Sequence, residues 1–138
     1  MLTLCALTVL GMDPSAERTL NAADVVALAC AGDRECSMVV PVLWERETGG
    51  SFALRPRGGS GLGPLQVLRS KYVAQFDLAD PVDGMRAGWH VYKLKRARAR
   101  SVRQAFEFYN GSSRALSYGR HAWEKLRRVK AACEGEEA

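Results

Sequence analysis

The 138-residue chain falls within the usual size of one domain, and its make-up, 47% hydrophobic and 25% charged, supports a buried core and excludes a disordered chain. Twenty Lys and Arg against 15 Asp and Glu leave a formal charge of +5, which favours an anionic partner (nucleic acid, an acidic membrane face or a bacterial wall polymer) without choosing among them. Apolar residues recur at three- and four-residue steps, and Val, Ile and Thr are not gathered into alternating runs, so the expected fold class is mostly α, in one compact domain.

Met1 to Gly11 is apolar. It lacks the positive start of an export signal and is shorter than the roughly 20 residues of a membrane helix. The reading is a mature apolar segment that packs on its own domain or on a partner, with a degenerate export signal as the alternative and no integral membrane segment. Asn21 to Cys30 follows as a short helix, Asn21 at the N-cap, with Gly32 able to end it. A second helix starts after Asp33 and runs to Thr48; Pro41 implies that it is kinked or begins late, and Gly49-Gly50 stop it.

Arg55 to Gly63 is a loop crowded with Pro56, Gly58, Gly59, Gly61 and Gly63, and a short helix is expected over Leu65 to Phe76. Asp80-Pro81 announces the next helix as N-cap and first residue, with Asp83 in its first turn and Met85, Trp89 and Tyr92 on one side. Lys93, Lys95, Arg96, Arg98, Arg100 and Arg103 follow without a carboxylate among them, a pattern that reads first as a solvated helix face. No aromatic residue interleaves them and no nucleic-acid motif accompanies them, so a nucleic-acid partner is not expected. Val102 to Asn110 is a helix closed by Gly111, and the last helix runs from Ser113 to Ala132 with Ala115, Tyr118, Ala122, Leu126 and Val129 at helical steps. The organisation is an N-terminal apolar segment and helix (1–32), a main domain (33–132) and a short acidic tail (133–138).

Cys5, Cys30, Cys36 and Cys133 match no zinc spacing, so no metal site is expected. Cys30 and Cys36 either close a short loop in an oxidising compartment or stay as reduced core thiols; their spacing leaves both open.

The chemistry-bearing segment is Val40 to Thr48. At 100° per residue, Glu47 shares a helix face with Val40, Leu43 and Trp44, whereas Glu45 points the other way. Desolvation on an apolar face and the negative end of the helix dipole both disfavour a carboxylate anion, which suits Glu47 to general-acid work.

Downstream come ETGG, a glycine-rich loop ending in Gly63-Pro64-Leu65-Gln66, then Asp80-Pro81 with Met85-Arg86-Ala87-Gly88, then Phe108-Tyr109-Asn110-Gly111. In order and spacing this resembles the soluble lytic transglycosylases, relatives of goose-type lysozyme, over about Val39 to Val129. The resemblance implies a lysozyme-like helical domain whose Gly-rich loop lines a cleft. It implies Glu47 as the catalytic acid, and Thr48, Gly63, Gln66, Tyr109, Asn110 and, more weakly, Tyr118 as substrate-binding residues. Thr48 in place of the usual Ser, the altered loop residues Ser60, Gly61, Pro64 and Leu65, and Gly84-Met85 in place of Asn-Ile mark a divergent member.

The implied activity is cleavage of peptidoglycan glycan strands between N-acetylmuramic acid and N-acetylglucosamine, closing a 1,6-anhydro ring with one carboxylate and neither cofactor nor metal. Most glycosidases use two carboxylates, and a lysozyme-type hydrolase, with Asp77, Asp80 or Asp83 brought near by the fold, is the alternative; an inactive wall-binding or structural subunit is another. The implied setting is a bacteriophage virion or release into the host periplasm, or a bacterial periplasm, with docking into a virion or secretion assembly open to the apolar start and the basic helices.

Overall fold

The computed structural model describes residues 2–12, 21–56 and 58–135. Six α-helices and one short 3-10 turn build a single helical domain, without a strand among the described residues. We number the helices α1 (Leu2–Val9), α2 (Ala22–Cys30), α3 (Arg34–Thr48), α4 (Pro81–Arg98), α5 (Val102–Asn110) and α6 (Ala115–Cys133).

Helix α3 is the central rod. Every residue from Cys36 to Trp44 is buried, because α1, α2, α4 and α6 all pack against it. A helix apolar all round belongs in a core, and truncating Trp44 to Ala there would cost about 3–5 kcal/mol. Its start is fixed by Asp33, whose side chain accepts from the Cys36 amide at 2.9 Å. Pro41 lies inside the continuous helix, which therefore begins early, at Arg34. Gly49, at φ +65, ends it in the left-handed conformation that a residue with a Cβ adopts reluctantly.

The other caps follow the same local logic. Asn21 accepts from Ala23 N at 2.8 Å to start α2, and Asp80 accepts from Asp83 N at 2.9 Å to start α4, with Pro81 as its first residue. At the end of α2 it is Ala31, at φ +48, that takes the left-handed position, one residue before Gly32. Met85 and Tyr92 of α4 are buried and Trp89 stacks on Tyr92 with ring centroids 5.5 Å apart. Helix α6 buries Tyr118, Ala122, Leu126, Val129 and Cys133, while Ala115 is half-buried.

The apolar start of the chain packs on its own domain. Leu2, Thr3, Ala6 and Leu7 are buried in α1, against α3 and α6. Cys5 is disulfide-bonded to Cys133, with Cα atoms 5.8 Å apart across a sequence separation of 128, and Cys30 pairs with Cys36. No described cysteine is free. No described helix is long and apolar enough to cross a membrane.

The expected helix over Leu65 to Phe76 does not form; only Lys71–Val73 makes a 3-10 turn. Leu62 and Val67 exchange both backbone hydrogen bonds at 2.9 Å, which folds Gly63 to Gln66 into a tight turn. Gln66 sits at φ +53, outside the helical region. A local bridge between Leu62 and Val67 has overruled helix preference here.

Candidate active site

The end of α3 is tied to this turn. The Trp44 indole donates to the Ser51 carbonyl at 2.8 Å and its ring packs on Phe52 at 4.8 Å, so the chain doubles back after Gly50. Thr48 Oγ1 donates to the Pro64 carbonyl at 2.9 Å. Gly63 N–H donates to Leu54 O at 2.8 Å, and a Cβ on Gly63 would meet Leu78 O at 3.2 Å. These two residues therefore hold backbone in place: Thr48 fastens the turn to the helix end, and Gly63, at φ +75, lets the turn press on the segment before α4.

The turn presents Gln66. Its amide Nε2 donates to Gly63 O at 3.1 Å, and Gly61 leaves room for it, since a Cβ there would lie 2.9 Å from the Gln66 Oε1. Leu65 behind it is fully buried, and its carbonyl accepts a 2.6 Å hydrogen bond from the Tyr109 hydroxyl. Burial, and then the charge of Glu47, push the Tyr109 phenol well above its ordinary range. The hydroxyl end of Tyr109 is thus enclosed, while the rest of the residue is half-exposed along a neighbouring groove.

A cleft of about 370 Å³ opens where α3, the turn, α5 and α6 meet. Glu47, Gln66, Asn110 and Tyr118 line it, as do Arg46 and His121; Ser112, Arg114 and Ser117 complete its described wall. Glu47 is half-buried, one turn beyond the fully buried Leu43 and Trp44. Asn110 is held by accepting hydrogen bonds at its Oδ1 from the amide of Ser112, at 3.1 Å, and from the Ser112 hydroxyl. Glu45 points away, as its helix position requires, and pairs with Lys125 at 2.7 Å.

Tyr118 is 6% exposed. Its hydroxyl meets no acceptor at full hydrogen-bond geometry, and the Arg46 guanidinium lies 5.6 Å from its ring centroid. Burial raises the phenol pKa most, followed by the charge of Glu47, the Tyr109 phenol and a loose hydrogen-bonding approach to Glu47, against a lowering by Arg46. Arg46 Nε is likewise buried without an acceptor. Both residues line the cleft beside Glu47, while these two donor atoms are themselves closed off from solvent.

Of the described residues lining this cleft, only Glu47 is a carboxylate. Asp77, Asp80 and Asp83 are engaged elsewhere: Asp80 caps α4, Asp83 accepts from Asp77 N at 3.1 Å and pairs with Arg86 at 3.2 Å, and Asp77 accepts from Ala79 N. The sequence-derived set is thus brought together at Glu47, Gln66, Asn110 and Tyr118, with Tyr109 behind them and Thr48 and Gly63 in supporting backbone positions. Arg46, Arg114 and His121 were not foreseen. The only sequence trace of His121 is its three-residue offset from Tyr118 on α6.

Compared with protein-family models, curated proteins and solved structures, the chain matches none.

Proposed function

We propose that the chain is a peptidoglycan-cleaving lytic transglycosylase, breaking the β-1,4 bond between N-acetylmuramic acid and N-acetylglucosamine with formation of a 1,6-anhydro-muramic end. One observation carries the reading: a single half-buried carboxyl, Glu47, shares a polar cleft with an amide, an asparagine and a desolvated phenol. Amides and phenols supply the donors and acceptors that sugar hydroxyls and acetamido groups require.

Glu47 gives its proton to the glycosidic oxygen as the bond to the muramic anomeric carbon breaks. The released N-acetylglucosamine leaves with that proton as its 4-hydroxyl. The substrate's own N-acetyl oxygen shields the positive charge at the anomeric carbon. The muramic 6-hydroxyl then bonds to that carbon and its proton passes to Glu47, which restores the acid. Atoms balance within one strand, and no water is consumed. A second carboxylate has no task in this sequence, in keeping with a cleft whose described lining contains one.

Two disulfides favour an oxidising compartment, such as the bacterial periplasm or the virion of a phage that meets the wall from outside. Mass spectrometry of digested, purified peptidoglycan is the decisive test. Anhydro-ended products from the native protein, absent with Glu47→Gln, are expected; products one water heavier would make the protein a hydrolase, and no products at all would leave a binding subunit.

A further inference from the structure

A second groove, about 570 Å³ in volume, runs on from the proposed active cleft and shares Gln66 with it. Its other walls come from the chain after the turn and from the basic half of α4. Val67, Val91 and Leu94 give it an apolar lining, Tyr109 joins it, and Lys95 and Arg98 supply its charge. No carboxylate occurs among its described lining residues. Leu68 and Tyr72, also on this groove, are 60% and 57% exposed, an uncommon degree for such side chains beside a hollow.

An apolar channel flanked by two cations suits a ligand of matching character: a short chain with small apolar side groups and free carboxylates. A bare glycan strand offers no apolar side groups, and its only charge is the lactyl carboxylate that each muramic unit exposes once its peptide is gone. The stem peptide that branches from a muramic unit offers both. Resting on the glycan-cleaving reading above, we infer that this groove seats the stem peptide next to the cleavage point, with Lys95 and Arg98 facing its carboxylates. The groove would make the protein select peptide-bearing strands over stripped ones, and the positive run from Lys93 to Arg100, which has no carboxylate within it, would draw the polymer toward it.

The test uses two probes: purified peptidoglycan freed of wall phosphate polymers, and the same glycan after an amidase has removed its stem peptides and the lactyl carboxyls so exposed have been converted to neutral amides. Binding is measured by sedimentation with the Glu47→Gln protein, so that no turnover enters. The expected result is a preference of about 5-fold for the peptide-bearing polymer at low salt, the size of two partly exposed charge contacts, fading as salt screens them. Lys95→Gln with Arg98→Gln should erase that preference and leave binding to stripped glycan unchanged, whereas Lys95→Arg with Arg98→Lys should keep it. Thermal unfolding checks that each variant folds. Equal binding of both probes, or equal loss on both in the Gln pair, overturns the assignment. Cleavage of neither polymer by the native protein would instead refute the catalytic reading, and the binding comparison would still decide the groove.

Discussion

The Tyr109 hydroxyl donates a 2.6 Å hydrogen bond to the carbonyl of Leu65, a partner 44 residues away. This bond fixes the height of the Gln66 turn above α5, and Gly88 of α4 makes it attainable. A Cβ on Gly88 would come within 2.7 Å of the Leu65 Cβ. Gly88→Ala is therefore expected to destabilise the protein by about 1–3 kcal/mol through overpacking and to lower activity by displacing Gln66. Chemical denaturation and turnover measured together check this; an alanine variant of native stability and rate would show that the turn is not set from below.

At the cleft itself, Glu47→Gln keeps the side-chain shape and removes the acid, so turnover should fall by about 10²- to 10⁴-fold with the thermal midpoint nearly unchanged. Tyr118→Phe removes a buried hydroxyl that makes no full hydrogen bond. Such a loss should leave stability close to native while reducing turnover. If Tyr118→Phe instead unfolds the protein, the hydroxyl belongs to the fold and not to the site.

Alkaline stability carries a signature of the buried phenols. Tyr92 is raised to about 12, by burial and then by Glu35, with Arg96 opposing, and Tyr109 and Tyr118 are raised well above the ordinary value. A raised folded-state pKa means that the unfolded chain releases protons first as pH rises. The contribution of these groups is whole below pH 10, the ordinary tyrosine value, and is lost progressively as pH climbs through 12 and beyond. Thermal midpoints should thus be insensitive to these three residues below pH 10 and fall above it, and Tyr118→Phe should fall less steeply. An equally steep decline in that variant would remove Tyr118 from the account.

The two disulfides differ in reach. Loop-closure entropy assigns about 4–5 kcal/mol to a cross-link spanning as far as Cys5–Cys133 does and about 2 kcal/mol to one as short as Cys30–Cys36. Paired serine variants compared by denaturant unfolding should rank accordingly, the Cys5 and Cys133 pair losing more. The opposite ranking would mean that α1 is held by its burial on α3 and α6 alone.

What the sequence revealed was what neighbours in the chain decide. Asn21, Asp33, Asp80, Pro81, Gly49 and Gly111 set helix ends through contacts a few residues long, five of them as caps and Pro81 as a first residue. The position of Glu47 beside apolar Leu43 and Trp44 was likewise a matter of helical geometry. Residues 65–76 read as a helix by local preference, but the Leu62–Val67 bridge turns the chain instead, and Tyr109, distant in sequence, holds Leu65 once the fold is assembled. A positive φ at Gln66 leaves no mark in a sequence, since glycine alone advertises that conformation. Nor did Cys5 announce Cys133, because spacing says nothing about connectivity at that distance. Arg46 and His121 come to line one cleft only once α3 and α6 are docked.

The link between Cys5 and Cys133 closes nearly the whole chain into a covalent ring. A single proteolytic cut in the exposed stretch Leu54–Pro56, or anywhere else between the two cysteines, opens the ring without releasing a fragment. The nicked molecule would migrate as one species on a non-reducing gel and as two once reduced. Such a nick would leave the fold held shut.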